Sequence, residues 1–133
     1  MATKNNKQSG LYDGSCMCGA VHFSISAEPR FVAECVCESC RRAHGASVVA
    51  WVGVNTDNFH IQNGRSEVNW YASSAASQRG FCQQCGTRMF FRSSKWAGET
   101  HMALALFDEP HNLKSTGFSF ASEKPNWTQV ELT

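Results

Sequence analysis

The sequence predicts a mainly β domain with little helix. Short runs that are alternately apolar and polar, or almost wholly apolar, are separated by turns rich in Asn, Gly and Ser. Charged residues make up 17% of the 133 residues, which suits a compact β-rich domain better than long helices or a disordered chain. This length predicts one domain over residues 11–133, preceded by a polar, disordered tail at residues 1–10.

Two runs carry the clearest strand patterns. Val21, Phe23 and Ile25 alternate with polar residues, which is the period of a half-buried strand. Residues 47–54 are almost continuously apolar, as in a strand buried on both faces. The one fair helical candidate is a turn or two at residues 38–44. Further short strands are predicted at residues 59–62, 68–72, 88–92 and 101–107.

The charge balance and the chain's apolar content limit the partners. Twelve basic and eleven acidic residues give a net charge of +1, so no nucleic-acid partner is expected. The polar N-terminus lacks the apolar segment of a signal peptide, and no apolar run reaches the ~20 residues of a membrane span. We therefore expect a cytoplasmic protein without a membrane partner. In that reducing compartment, closely spaced cysteines bind metal or do chemistry more often than they form disulfides.

The first and last cysteine groups predict one closed metal site. In Cys82-Gln83-Gln84-Cys85-Gly86 a tight turn can bring two sulfurs onto one ion, and the glycine can take the left-handed conformation that aims backbone N–H groups at sulfur. Cys16 and Cys18 lie on one face of an extended backbone and can converge in the same way. Two such halves complete a four-cysteine structural zinc site. The alternative is two pairs of buried apolar cysteines.

The middle group, Cys35-Val36-Cys37-Glu38-Ser39-Cys40, predicts an open metal site. Three thiolates on zinc leave the fourth tetrahedral position to water, substrate or a nearby side chain, and an open position is what a catalytic zinc keeps. His44 lies one helical turn after Cys40 and could instead close the site with nitrogen. A solvated or supporting histidine is the other interpretation.

Arg41 and Arg42 directly follow this group. Three thiolates and a divalent zinc carry a net charge of about −1, which neighbouring cations would offset. The alternative is a solvated basic turn.

Three linked motifs resemble those of the glutathione-dependent formaldehyde-activating enzyme family, which includes centromere-protein-V-like domains. The resemblance is carried by residues 14–21, residues 35–42 with Gly45-Ala46, residues 79–87 and, more loosely, residues 121–127. It implies a β-tent of short antiparallel sheets built around zinc sites. It also implies a structural zinc on Cys16, Cys18, Cys82 and Cys85, and a catalytic zinc on Cys35, Cys37 and Cys40.

The resemblance further implies a carbon–sulfur lyase that joins glutathione and formaldehyde, or a related aldehyde, as S-hydroxymethylglutathione. A thiol that coordinates zinc is deprotonated at neutral pH, which creates the nucleophile. Arg41 and Arg42 are the residues we expect to hold the carboxylates of glutathione. The alternatives are a non-catalytic zinc-binding interaction module and a carrier of glutathione or zinc.

Two positions depart from the family pattern. Val36 stands where the family usually has histidine, and the C-terminal segment offers Gly117-Phe118 where it often carries another. Neither change touches a predicted metal ligand, so both bear on the identity of the substrate.

Overall fold

The structure of the protein is a computed structural model, and it describes residues 10–132. The predicted disordered tail lies outside the described residues except for Gly10.

Ten strands and one α-helix make up the regular structure of the described residues. The strands are β1 (Tyr12–Ser15), β2 (His22–Ile25), β3 (Phe31–Cys35), β4 (Val49–Asn55), β5 (Phe59–Asn63), β6 (Val68–Ala72), β7 (Ser77–Cys82), β8 (Arg88–Ser93), β9 (Glu99–Ala103) and β10 (Phe118–Ser119), and α1 (Glu38–His44) lies between β3 and β4. Single 3-10 turns lie at Thr56–Asn58, Arg65–Glu67, Ser94–Trp96, Leu104–Leu106 and Ala121–Glu123.

The strands form two sheets. One has the order β1-β2-β5 and the other the order β10-β3-β4-β9-β8-β7-β6. All pairings between these strands are antiparallel except that of β10 with β3, which is parallel. The predicted mainly β fold with little helix is confirmed, and α1 occupies the predicted helical residues.

One predicted strand was drawn too long. The run at residues 101–107 is strand only up to Ala103, and Leu104–Leu106 forms a 3-10 turn instead. Phe107, which follows this turn, is buried and packs its ring edge against Phe23 at 5.2 Å between centroids. The turn at Leu104–Leu106 therefore places the Phe107 ring in the core.

The core has two parts. The larger is centred on Phe23, whose ring also meets Phe90 edge-on at 5.3 Å between centroids. The smaller part includes two cysteines of the middle group and consists of Cys35, Cys40, Val49, Trp51 and Ala103. Two of its members come from β4, the strand that was predicted to be buried on both faces. Two of the three cysteines of the middle group are therefore part of the packed core.

Within residues 10–132, no helix is both long enough and apolar enough to pass through a membrane.

Candidate functional site

The first and last cysteine groups meet in space. The sulfurs of Cys16, Cys18, Cys82 and Cys85 all lie within 4.8 Å of one another. Cys16 Sγ is 3.7 Å from Cys18 Sγ, and Cys18 Sγ is 3.9 Å from Cys82 Sγ. Four sulfurs bound to zinc at ~2.3 Å in a tetrahedron would be about 3.8 Å apart. This donor set therefore fits a closed, four-coordinate zinc.

Gly86 adopts the left-handed conformation that the sequence predicts, and Gly19 in the first turn adopts it as well. Gly19 has a φ of 83° and Gly86 a φ of 81°, both in the left-handed region that favours glycine. The N–H of Gly86 donates to the carbonyl of Cys82 at 2.7 Å and closes the second turn. In the first turn, the N–H of Val21 donates to Cys16 Sγ at 3.3 Å, which stabilises a thiolate there.

The middle cysteine group forms a second cluster at the end of β3. The sulfurs of Cys35, Cys37 and Cys40 lie within 4.8 Å of one another. Cys37 is the N-cap of α1, and its sulfur accepts a hydrogen bond from the backbone N–H of Cys40 at 3.4 Å. The start of the helix therefore fixes the Cys37 sulfur relative to the backbone of Cys40. This second set also has the soft sulfur donors that zinc prefers.

In the second cluster, the surroundings of Cys40 favour its thiolate form. A hydrogen bond from the Cys35 thiol, and then the positive charge of Arg79, lower the pKa of Cys40 to about 5. The same bond with Cys40, together with burial, raises the pKa of Cys35. Cys40 thus loses its proton before Cys35 does.

His44 does not join the second cluster. Among the described residues that could ligate a metal there, only the three cysteines converge. The imidazole of His44 instead packs edge-on against Trp51, with 5.2 Å between ring centroids. Burial, followed by the charges of Arg79 and Arg88, lowers the pKa of His44 to about 4. It is a neutral packing residue.

Arg41 and Arg42 contact the protein itself. Arg41 Nε donates to the carbonyl of Val36 at 2.8 Å, and Arg41 Nη2 donates to the carbonyl of Glu123 at 3.2 Å. Arg42 forms an exposed ion pair with Glu38 at 3.0 Å. Neither arginine is among the residues that line the cavity described next. A role for either in holding substrate carboxylates stays a prediction.

A cavity of about 630 Å³ opens beside the second cluster. All three cysteines of the cluster line it, and its walls are rich in aromatic side chains, namely Phe31, Trp51, Phe91, Trp96 and Phe120. Its lining also includes two cations, Arg79 and Lys95. The cavity is large enough for a peptide-sized thiol, since ligand pockets are commonly about 300–1,000 Å³.

Arg79 is the residue that sequence reasoning missed. It lies in β7 and is only 5% exposed, although charged side chains are seldom buried. Its guanidinium stacks on Phe91 at 4.7 Å, and Nη2 donates to Cys40 Sγ at 3.8 Å. Arg79 opens the third sequence motif, directly before Gly80-Phe81-Cys82. Its position in that motif was visible, but its reach to the other cysteine cluster was not.

His101 also lines the cavity. It is 6% exposed, and its Nε2 hydrogen-bonds Glu99 at 2.9 Å. Burial lowers the pKa of His101, and the neighbouring Glu99 opposes that shift. The ring of Phe31 meets it edge-on at 4.8 Å between centroids. His101 thus forms a rigid part of the cavity wall.

A profile of the glutathione-dependent formaldehyde-activating enzyme family matches residues 11–123. The match spans both cysteine clusters. The chain belongs to this family.

Relatives in the family are distant in sequence but similar in extent. A Schizosaccharomyces pombe protein named as an uncharacterized lyase is 26% identical over 115 residues, which span 86% of this chain and 82% of the relative. A Halomonas elongata protein named as a glutathione-dependent formaldehyde-activating enzyme is 25% identical over 129 residues, or 91% of this chain and 82% of the relative.

A crystal structure of a Rhodobacter sphaeroides protein has the same fold. It superposes with a TM-score of 0.62 at 19% identity and covers 75% of this chain and 91% of that one. At this identity the likeness concerns the fold alone.

Proposed function

We propose that this protein is a zinc-dependent carbon–sulfur lyase-type enzyme that adds a thiol such as glutathione to formaldehyde, or to a related aldehyde, and reverses that addition. The main support is that Cys35, Cys37 and Cys40 converge on the wall of a cavity, without a fourth protein ligand among the described residues. The family and the names of its relatives support enzyme activity of this class.

The ligand set favours thiol chemistry over hydrolysis. A zinc ion at the second cluster would deprotonate an incoming thiol at neutral pH. Three protein thiolates already donate strongly, so a fourth sulfur would stay electron-rich and able to attack a small carbonyl. The reaction balances as thiol plus aldehyde giving the S-hydroxymethyl adduct, with no oxidant or reductant.

The chain's own residues bind and orient the reactants. The aromatic walls remove water from the reacting atoms, which strengthens electrostatic interactions there. Lys95 is the lining cation that we assign to a substrate carboxylate, in addition to the predicted Arg41 and Arg42. Cys16, Cys18, Cys82 and Cys85 would hold the other zinc and stabilise the fold.

The test compares the wild type with Cys37→Ser in NMR exchange between free and adduct glutathione. Serine keeps an N-cap acceptor for α1, so this variant should fold while losing the second metal. We expect the wild type to accelerate exchange above the spontaneous rate, and Cys37→Ser to lose at least about 100-fold of that acceleration.

A wild type with two metal ions per chain that accelerates no thiol–aldehyde exchange would contradict the proposal. If it then still bound glutathione, a carrier would be favoured; if it bound none, an interaction module would be.

A further inference from the structure

One guanidinium nitrogen of Arg79 is a buried donor without a hydrogen-bond partner among the described residues. Its Nη1 is buried and has no hydrogen-bond partner anywhere in residues 10–132, while Nη2 donates to Cys40 Sγ at 3.8 Å. Burying an unpaired polar group costs free energy, and the cost is larger when the group is charged. An uncompensated donor of this kind therefore indicates a ligand.

The geometry limits where that ligand lies. Arg79 lines the same cavity as Cys35, Cys37 and Cys40, and stacking on Phe91 holds its guanidinium in place. The guanidinium is rigid and planar, so Nη1 is held next to Nη2, the nitrogen that contacts Cys40 Sγ. An oxygen bound to Nη1 would consequently lie close to Cys40 Sγ, which belongs to the cluster.

We propose that Arg79 Nη1 binds the oxygen of the aldehyde, which makes Arg79 a catalytic residue; this inference rests on the proposed function. A sulfur lone pair forms the new C–S bond, and the C=O π pair moves onto oxygen. The resulting alkoxide is held by the Nη1 N–H, in the manner of an oxyanion hole. Arginine keeps its proton, so the alkoxide takes up the proton that the thiol released earlier, which balances the reaction.

The electrostatics favour this role over simple charge compensation. A fourth thiolate would bring the metal and its sulfurs to a net charge of about −2, and a cation that only offset this charge needs no free donor. Nη2 already places the positive charge beside the Cys40 sulfur. Nη1 therefore contributes a directed hydrogen bond to the ligand rather than further charge. A preorganised donor in a site that excludes water stabilises developing charge most strongly.

The test uses Arg79→Met, which keeps an apolar stem against Phe91, and Arg79→Lys, which keeps the charge but loses the fork. Arg88→Met is the matched control, because Arg88 stacks on Tyr71 and Phe81 and does not line the cavity. We expect kcat to fall about 100-fold in Arg79→Met and partly in Arg79→Lys, with metal content and glutathione affinity within about threefold of the wild type.

A binding measurement separates this inference from turnover. Mercaptoacetate and ethanethiol share a thiol, but only mercaptoacetate carries an oxyanion close to sulfur. We expect the wild type and Arg88→Met to prefer mercaptoacetate by about tenfold, and Arg79→Met to lose that preference. A preference that survives in Arg79→Met, or a variant that loses metal and both thiols together, would overturn the inference.

The two proposals can fail separately. If the preference depends on Arg79 but no aldehyde reacts, the proposed function fails and Arg79 remains an oxyanion-binding residue without a catalytic role. If the wild type turns over and Arg79→Met matches it, the function stands and the inference fails.

Discussion

Arg41 Nε donates a 2.8 Å hydrogen bond to the carbonyl oxygen of Val36, which lies between two of the clustered cysteines. The same side chain donates to the carbonyl of Glu123, whose carboxylate in turn accepts the backbone N–H of Glu38 at 2.9 Å. The C-terminal segment adds Ser119, whose carbonyl accepts the N–H of Val36 at 3.3 Å. The second cluster is therefore held from outside by a short segment far along the chain.

Arg41→Ala should weaken metal retention at the second cluster, whereas Arg42→Ala should not. Loss of Arg41 leaves the carbonyls of Val36 and Glu123 without its donors, while Arg42 has only a solvent-exposed ion pair, a kind worth about 0–1 kcal/mol. Competition with a chromophoric chelator measures the difference, and we expect about a tenfold loss of affinity in Arg41→Ala alone.

Equal metal affinity in these two variants would contradict the positioning role of Arg41. If glutathione affinity fell in both without loss of metal, the predicted role in binding substrate carboxylates would be favoured.

Cys82→Ser should destabilise the whole domain, and Cys37→Ser should not. Cys82 is fully buried in the main core and belongs to the four-sulfur cluster, which joins β1 to the turn between β7 and β8. Structural zinc contributes about 10 kcal/mol or more of folding free energy in small domains. Thermal unfolding with parallel metal analysis should show loss of the cooperative transition in Cys82→Ser. A cooperative transition in that variant with one metal ion lost would contradict the structural role.

His44 should make the stability depend on pH. Its pKa is lowered to about 4 in the folded state by burial, against about 6.5 when unfolded. Below about pH 6.5 the unfolded state binds more protons, so stability falls as pH falls toward 4. We expect the difference in unfolding free energy between wild type and His44→Gln to shrink by roughly 1 kcal/mol from about pH 7 to 5, allowing for partial exposure.

The wild type and His44→Gln should both keep two metal ions at neutral pH, because His44 does not converge with the cysteines. Parallel pH curves for the two proteins would contradict the lowered pKa, and loss of one metal in His44→Gln would make His44 a ligand.

Gly53→Ala should alter the cavity wall. Gly53 lies opposite Phe31 in the pairing of β3 with β4, and an added Cβ would overlap the Phe31 ring. That ring packs against His101 and lines the cavity, so it has to move. We expect a destabilisation of about 1–3 kcal/mol, measured by urea unfolding, together with weaker glutathione binding.

Gly80→Ala is the matched control, because its Cβ would meet Trp70 at 3.2 Å and Gly80 does not line the cavity. Equal loss of glutathione binding in the two variants would contradict the role given to Phe31.

Local patterns predicted the fold where packing follows a regular period. Residues 47–54 became β4, residues 68–72 became β6, and the helix at residues 38–44 has the predicted bounds. β7 was missed because Ser77–Cys82 mixes polar residues with Gly80 and buries Arg79, so it shows no apolar period. β10 was missed because two residues carry too little pattern to mark a strand.

The cysteine clusters were predictable because the cysteines within each contributing group are closely spaced in the sequence. Their surroundings were not, because Arg79 and His101 reach the second cluster's cavity through strand pairing across the larger sheet. His44 shows the opposite case. It lies one helical turn from Cys40, as a ligand would, but its imidazole packs on Trp51 instead. Long-range register decides such positions, and sequence spacing does not report it.

Cobalt substitution tests most directly whether the second cluster has an open position that accepts a thiol. With Co²⁺ in both clusters, titration with glutathione should raise the thiolate-to-cobalt charge-transfer absorption and saturate at a single glutathione per chain, because Cys35, Cys37 and Cys40 supply only three sulfurs. Cys37→Ser should abolish that rise. A spectrum that glutathione leaves unchanged, in a protein carrying two cobalt ions, would show that the position is closed and would contradict the proposed reaction.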